Sequence, residues 1–266
     1  MKRSLSFLLT ALVLFTFAFA ETKVIAHRGF SAKAPENTLI AFRKAIRSGA
    51  DYFELDVHKT ADDSVVVIHD GSVNRVCSNG ISGNIAEMSF KESRAVRMGY
   101  PKKFGKKFRR AGIPTLKEAL SLAKGKIKVC IEIKAADVEK AVLKTVNDLN
   151  MNNEVIIFAF SYDVLKNIRD LDPEIPILYL RSVVNEETIK MVKDISGNAI
   201  GAGLKTPLTP ELLDQAHESG IELWQWTVNK EEDMKRLLNI SADGIISDHP
   251  DKVLKLQKKS AINFKK

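Results

Sequence analysis

The run Phe53-Glu54-Leu55-Asp56-Val57-His58 sets acids and a base where a β-strand should be apolar. Strand side chains alternate faces, so Glu54, Asp56 and His58 share one face while Phe53, Leu55 and Val57 share the other. A second run, Val65-Val66-Val67-Ile68-His69-Asp70, follows a few polar residues later. That connection is too short for a parallel crossover, so the second run must return antiparallel. With Asp62-Asp63 as a two-residue turn, Ala61 stands opposite Ser64 and His69 opposite Asp56. The turn would then set Glu54, Asp56 and His69 in one cluster. An exposed polar hairpin face would account for two acids alone, but the apolar run beside them argues for burial.

Similar residues end other apolar runs. His27-Arg28 closes the run from Lys23 to Ala26, Glu132 and Lys134 share one face with Cys130, and Trp226 shares one with Trp224. Each has an ordinary reading: a structural ion pair for Glu132 and Lys134, a core plug for Trp226, a satisfied interior histidine for His27. Their common place at strand ends is harder to explain in that way, because α/β barrels carry their chemistry there. Three carboxylates with few nitrogen ligands suit one hard divalent cation, Ca²⁺ or Mg²⁺, better than zinc. Arg28 and Lys134 can hold an anionic oxygen, and His27 and His69 can exchange protons near neutral pH. The combination points to cleavage of a phosphoryl ester.

The elements that must position these residues repeat along the chain. Apolar runs near residues 25, 55, 131, 157, 178, 201, 224 and 246 read as strands, with helical patterns between them. Gly49 closes the first helix, Thr115-Leu116-Lys117-Glu118 is a capping box, Thr209-Pro210 opens another helix, and Asn229-Lys230-Glu231-Glu232 reads as a second box. Eight βα units predict an α/β fold of the TIM-type (βα)8 barrel class, with the hairpin strand as an antiparallel addition. From about 71 to 112 the periodicity fails, and six glycines and a basic cluster suggest a loop-rich insertion, either a lid or a surface excursion. No glycine-rich dinucleotide or phosphate-loop motif follows any strand.

Residues 1–20 combine Met1-Lys2-Arg3, an apolar run and the ending Ala18-Phe19-Ala20. This is the pattern of a secretory signal, and its length and small-residue ending favour cleavage over retention as an anchor. The expectation is an exported chain, periplasmic or extracellular, of one domain over residues 21–266 and without stable membrane insertion. The net charge of +8 becomes +6 without Lys2 and Arg3. Much of the excess lies in 102–110 and 252–266, read as solvated faces with weak attraction for anions rather than as a nucleic-acid surface. Cys77 and Cys130 are the only cysteines; no bridge between them and no zinc site is expected.

The strings His27-Arg28-Gly29, Pro35-Glu36-Asn37-Thr38, Gly49-Ala50-Asp51, Glu54-Leu55-Asp56-Val57, His69-Asp70, Pro114-Thr115-Leu116, Glu132-Ile133-Lys134, Trp226-Thr227-Val228-Asn229 and Asp243-Gly244-Ile245 resemble those of the glycerophosphodiester phosphodiesterases. The likeness runs collinearly from about residue 23 to 251. It implies a TIM-type barrel that hydrolyses glycerophosphodiesters to glycerol 3-phosphate and an alcohol. By the same resemblance Glu54, Asp56 and Glu132 would bind the metal, and His27 and His69 would act as general acid and base. Arg28 and Lys134 would hold the phosphate, and Trp226 would wall the substrate pocket. Two positions depart from the family pattern. Asp62-Asp63 stands where Asp-Gly is usual, which asks Asp63 for a positive φ, and Ser247-Asp248 stands where Thr-Asp is common. Neither departure is expected to touch the chemistry.

Overall fold

The computed structural model describes residues 21–263; the expected signal at 1–20 lies outside the described residues. Among the described residues there are nine strands: β1 (Lys23–Ala26), β2 (Tyr52–Lys59), β3 (Val65–Val67), β4 (Lys128–Ile133), β5 (Val155–Ala159), β6 (Ile177–Arg181), β7 (Ala199–Gly203), β8 (Glu222–Trp226) and β9 (Gly244–Ser247). β1 pairs in parallel with both β2 and β9, and this closes eight parallel strands in the order β1-β2-β4-β5-β6-β7-β8-β9. β3 adds to β2 antiparallel. The fold is therefore the expected TIM-type barrel with one extra strand.

Helices α1 (Leu39–Ser48), α4 (Leu116–Ala123), α5 (Glu139–Asp148), α6 (Tyr162–Leu171), α7 (Glu186–Asp194), α8 (Pro210–His217), α9 (Glu231–Asn239) and α10 (Pro250–Asn263) flank the barrel, and the short α2 (Phe90–Ala95) and α3 (Pro101–Phe104) belong to the insertion. Thr38 caps α1, which ends on Gly49 at φ 81°. Thr115 and Glu118 form the expected capping box of α4. Among the described residues no helix is long and apolar enough to cross a membrane.

Alternation divides the strand residues between two cores. Outward-facing residues such as Phe53, Leu55, Val57, Ile131 and Ile157 pack under the helices. Inward-facing Ile25, Cys130, Phe158, Leu178, Trp224 and Ile246 fill the barrel. This interior plug lies below the strand ends, so the inward residues that come next along each strand (His27, Asp56, Glu132, Trp226) form a polar layer on an apolar floor. Both cysteines are free, and Cys130 is buried in the plug.

The hairpin differs from expectation by one residue. Val57 pairs with Val67, His58 with Val66 and Lys59 with Val65. Thr60 and Ser64 then close a three-residue loop, with Asp63 at φ 62° as its left-handed member. Asp56 consequently faces Ile68, whose N–H donates to the Asp56 carbonyl at 3.0 Å, and not His69. The cause is visible at Asp62, whose carboxylate accepts the Phe90 N–H at the start of α2 and the Thr60 hydroxyl at 2.6 Å. The turn holds the insertion instead of fixing the catalytic register. His69 lies past the end of β3, where the chain has left the ladder.

The insertion has a core of its own, in which Val66 and Ile68 pack against Val73, Val76, Ile85, Met88, Val96, Met98 and Ile113. Phe104 and Phe108 interleave its basic run and stack edge to face on each other, 5.3 Å between centroids. Asn229 is not the cap of α9, which begins after Lys230 without a side-chain cap; its amide is used at the strand ends, as described below.

Gly244 sits beside Trp224 in the β8–β9 pair, and a Cβ there would come within 2.6–3.0 Å of the Trp224 ring. The indole is fully buried and cannot retreat. Gly244→Ala should therefore lower the unfolding free energy by about 1–3 kcal/mol through overpacking. Urea denaturation would show this as a lower midpoint with an unchanged slope; a wild-type midpoint would contradict the packing described.

Candidate active site

The metal-ligand set begins with strand register. Asp56 on β2 lies directly beside Glu132 on β4, and Glu54 is one inward step below Asp56. All three carboxylates are buried, and each offers an oxygen within 4.8 Å of the others. Burial, and then the neighbouring Asp56, pushes the Glu132 carboxyl up to about 7 and raises Glu54 well above the ordinary range. Glu54 Oε1 and Asp56 Oδ1 are buried without a hydrogen-bond partner. Orphaned, repelling carboxylate oxygens are the donors a hard cation takes, so these residues could hold a divalent ion.

Other atoms of the cluster are held firmly. The Arg28 N–H donates to Glu54 Oε2 at 2.7 Å. Asn37 grips Asp56 from both sides, donating to Oδ2 at 2.7 Å and accepting the Asp56 N–H at 3.1 Å. Arg28 and Asn37 reach these positions with φ values of 53° and 56°, the left-handed region that side chains normally avoid. Lys134 Nζ lies 2.7 Å from Glu132 and 3.8 Å from Asp56. Burial lowers its pKa, but Glu132 and Asp56 together outweigh that and raise it, so Lys134 is a cation.

Two imidazoles face this cluster, each backed by a carboxylate. His27 Nδ1 lies 2.7 Å from Asp248 Oδ1, and His69 Nδ1 lies 2.7 Å from Asp70 Oδ1. A carboxylate on Nδ1 fixes the ring and its tautomer and turns Nε2 toward the cavity, where His69 Nε2 lies 3.4 Å from Lys134 Nζ. Burial opposes ionisation of Asp248, yet bonds from His27, Ser31 and Asn229 hold it well below the usual carboxylate range. The His69 pKa is lowered, by burial first, with Asp56 and Asp70 pulling against it.

A cavity of about 140 Å³ is lined by His27, Arg28, Glu54, His69, Glu132, Lys134 and Trp226. Asp56 lies beneath it, fully buried. All eight residues singled out in the sequence thus meet in one place. Trp226 donates its N–H to the Gly201 carbonyl and meets Phe160 edge to face at 5.4 Å, making an apolar wall opposite the charges.

Sequence reasoning missed the supporting residues. Asp248 touches His27, so the Ser247-Asp248 segment does bear on the site. The signal was alternation, since Asp248 continues the inward face of Ile246. Asn229, expected to cap a helix, donates to Asp248 Oδ2 at 2.8 Å and accepts the Asp248 N–H. Glu36 lies in the Pro35-Glu36-Asn37-Thr38 string without a role assigned to it, and Arg75 carried no local signal. Glu36 Oε1 accepts from Arg28 at 2.8 Å, and Arg75 bonds both Glu36 and Asp70.

Comparison with known proteins gives a consistent picture. The model of the Glycerophosphoryl diester phosphodiesterase family matches residues 27–252. A glycerophosphodiester phosphodiesterase of Caldanaerobacter subterraneus subsp. tengcongensis is 35% identical, covering 90% of this chain and 99% of its own. One from Bacillus altitudinis is 30% identical, covering 89% and 98%. The crystal structure of a glycerophosphodiester phosphodiesterase from Agrobacterium tumefaciens matches with a TM-score of 0.78 at 26% identity, covering 88% of this chain and 99% of that one.

The ion pairs around Glu36 give a pH prediction. Burial works against it, but Arg75 and Arg28 hold the Glu36 carboxyl at about 2. A depressed carboxyl stabilises the fold above its unfolded pKa of roughly 4.3, and that contribution is lost as pH falls through the folded value. The stability gap between wild type and Glu36→Gln should therefore be full above about pH 4.3 and close toward about pH 2. Urea midpoints measured across that window check it; a gap independent of pH would contradict the assignment.

Proposed function

Because the chain belongs to the glycerophosphoryl diester phosphodiesterase family, we propose that it hydrolyses glycerophosphodiesters to glycerol 3-phosphate and an alcohol by two-histidine acid–base chemistry supported by one divalent cation, Ca²⁺ or Mg²⁺. The observation that carries the reading is two carboxylate-backed imidazoles sharing a small cavity with three buried carboxylates and two cations. Glu54, Asp56 and Glu132 would hold the cation, which supplies charge compensation for phosphoryl oxygens.

Arg28 and Lys134 hold the phosphate, whose charge their fixed positions offset as it shifts in the transition state. One imidazole Nε2 takes the proton of the attacking hydroxyl, and the other gives a proton to the departing alcohol oxygen. The substrate's own glycerol hydroxyl is the first attacking group in this reading; its oxygen bonds phosphorus as the alcohol leaves, and water then opens the cyclic phosphate. Asp248 and Asp70 keep both rings in register and stabilise each imidazolium as it forms. Trp226 and Phe160 pack against the glycerol carbons. Export belongs to the same reading and is supported by the sequence of residues 1–20 alone.

A second reading adds lysophospholipids. Phe160, Val183 and Leu204 are exposed just past β5, β6 and β7, so the mouth of the barrel has an apolar side where an acyl chain could lie. This side is far in sequence from the polar insertion.

The test is release of glycerol 3-phosphate from glycerophosphocholine and glycerophosphoethanolamine, with lysophosphatidylcholine in parallel and with chelator or added Ca²⁺ or Mg²⁺. Chelation should abolish turnover. His27→Ala and His69→Ala should each lose about 10²- to 10⁴-fold in kcat, the usual share of a general acid or base. A loss below about tenfold in either variant would remove that histidine from the mechanism.

A further inference from the structure

The insertion contributes no residue to the cavity, yet one of its side chains joins the two halves of the site. Arg75 lies on the insertion five residues beyond Asp70. Its Nε donates to Asp70 Oδ2 at 2.6 Å and its Nη2 to Asp70 Oδ1 at 3.1 Å. The same guanidinium donates to both oxygens of Glu36, at 2.7 and 2.9 Å. Glu36 Oε1 also accepts from Arg28, and Asp70 Oδ1 is the partner of His69 Nδ1. The result is an unbroken chain Arg28–Glu36–Arg75–Asp70–His69, with one end on each side of the cavity. The face of Arg75 lies 5.4 Å from the Tyr100 ring, a second contact with the insertion.

We infer that Arg75, with Glu36, is a positioning residue of the hydrolytic site: it fixes the distance between the phosphate-holding Arg28 and the proton-transferring His69. The geometry requires arginine. Four donor–acceptor pairs to two carboxylates need the planar fork of a guanidinium, and a lysine ammonium, with three donors around one point, cannot make them. Asp70 would otherwise be free to rotate, because among the described residues its carboxylate bonds the imidazole it must orient and this arginine and no other side chain. The insertion is in this account a clamp on the barrel, anchored through its own core and through Asp62, that delivers Arg75 to the rim.

The kinetic part of the inference rests on the phosphodiesterase reading; the structural part does not, and the test separates them. Full-length mature protein labelled with ¹⁵N-histidine is compared as wild type, Arg75→Met, Arg75→Lys and Glu36→Gln, with His69→Ala used to assign the His69 signals. Arg75→Met should shift the His69 Nδ1–H resonance and lower kcat on glycerophosphocholine by about tenfold or more, as loss of outer partners that orient a working imidazole commonly does. KM should stay within about threefold, since Arg75 does not touch the cavity. Arg75→Lys and Glu36→Gln should show the same shift and loss, and they carry the test if the methionine variant does not fold. An unmoved His69 resonance, a smaller loss of kcat, or full activity in Arg75→Lys would overturn the inference. A wild-type protein inactive on every diester would defeat the functional reading, and the resonance shift alone would then decide the clamp.

Discussion

Three carboxylates cannot share a buried pocket unless something else in the molecule offsets their repulsion. Glu54, Asp56 and Glu132 stand on adjacent parallel strands, fixed by the register that sets Asp56 beside Glu132. Away from water, like charges at this spacing repel far more strongly than on a surface. Much of the rim follows from that constraint. Lys134 pairs with Glu132, the guanidinium of Arg28 lies 3.6 Å from Asp56, and Asn37 spends its whole amide on Asp56. Two oxygens remain unpartnered after these contacts, and that remainder is what a divalent cation would take up.

The barrel makes the cluster tolerable and also useful. Its interior is plugged by Trp224, Phe158 and their neighbours, so the polar layer rests on an apolar floor. Closure of β9 onto β1 brings Asp248 to His27, residues separated by almost the whole described chain. Asp70 reaches His69 from the next position in sequence. Two imidazoles are thereby backed in the same way by unrelated elements, which is what paired proton transfers on opposite sides of a phosphate would need.

Much of this is legible in the sequence alone. The eight strands follow from apolar runs, and Glu54, Asp56, Glu132 and Trp226 from strand alternation, while His69 stands out as a residue at a strand end although the register that would place it opposite Asp56 is off by one. What was not legible was either decided by competition or by distance. Asp62-Asp63 looked like a two-residue turn, but the insertion claims the Asp62 carboxylate for Phe90 N–H and the loop widens by one residue. Asn229 had the position of a helix cap, and Asp248 takes its amide instead. Asp248 itself could have been found by extending the alternation past Ile246. Glu36 stands in the Pro35-Glu36-Asn37-Thr38 string that carries the family resemblance, but its partner Arg75 could not be found, since a salt bridge across 39 positions leaves no periodic trace in either segment.

A phosphate bound in this cavity should lie between the two imidazoles, above the three acids and within reach of Arg28 and Lys134. A crystal structure of the full chain with glycerol 3-phosphate and Ca²⁺ tests it most directly. Phosphate oxygens are expected on Arg28 and Lys134, with the Nε2 atoms of His27 and His69 facing the phosphate and the cation on Glu54, Asp56 and Glu132. Phosphate out of reach of both imidazoles, or bound only in the basic groove that Lys44, Arg47, Lys255 and Lys258 line between α1 and α10, would contradict it.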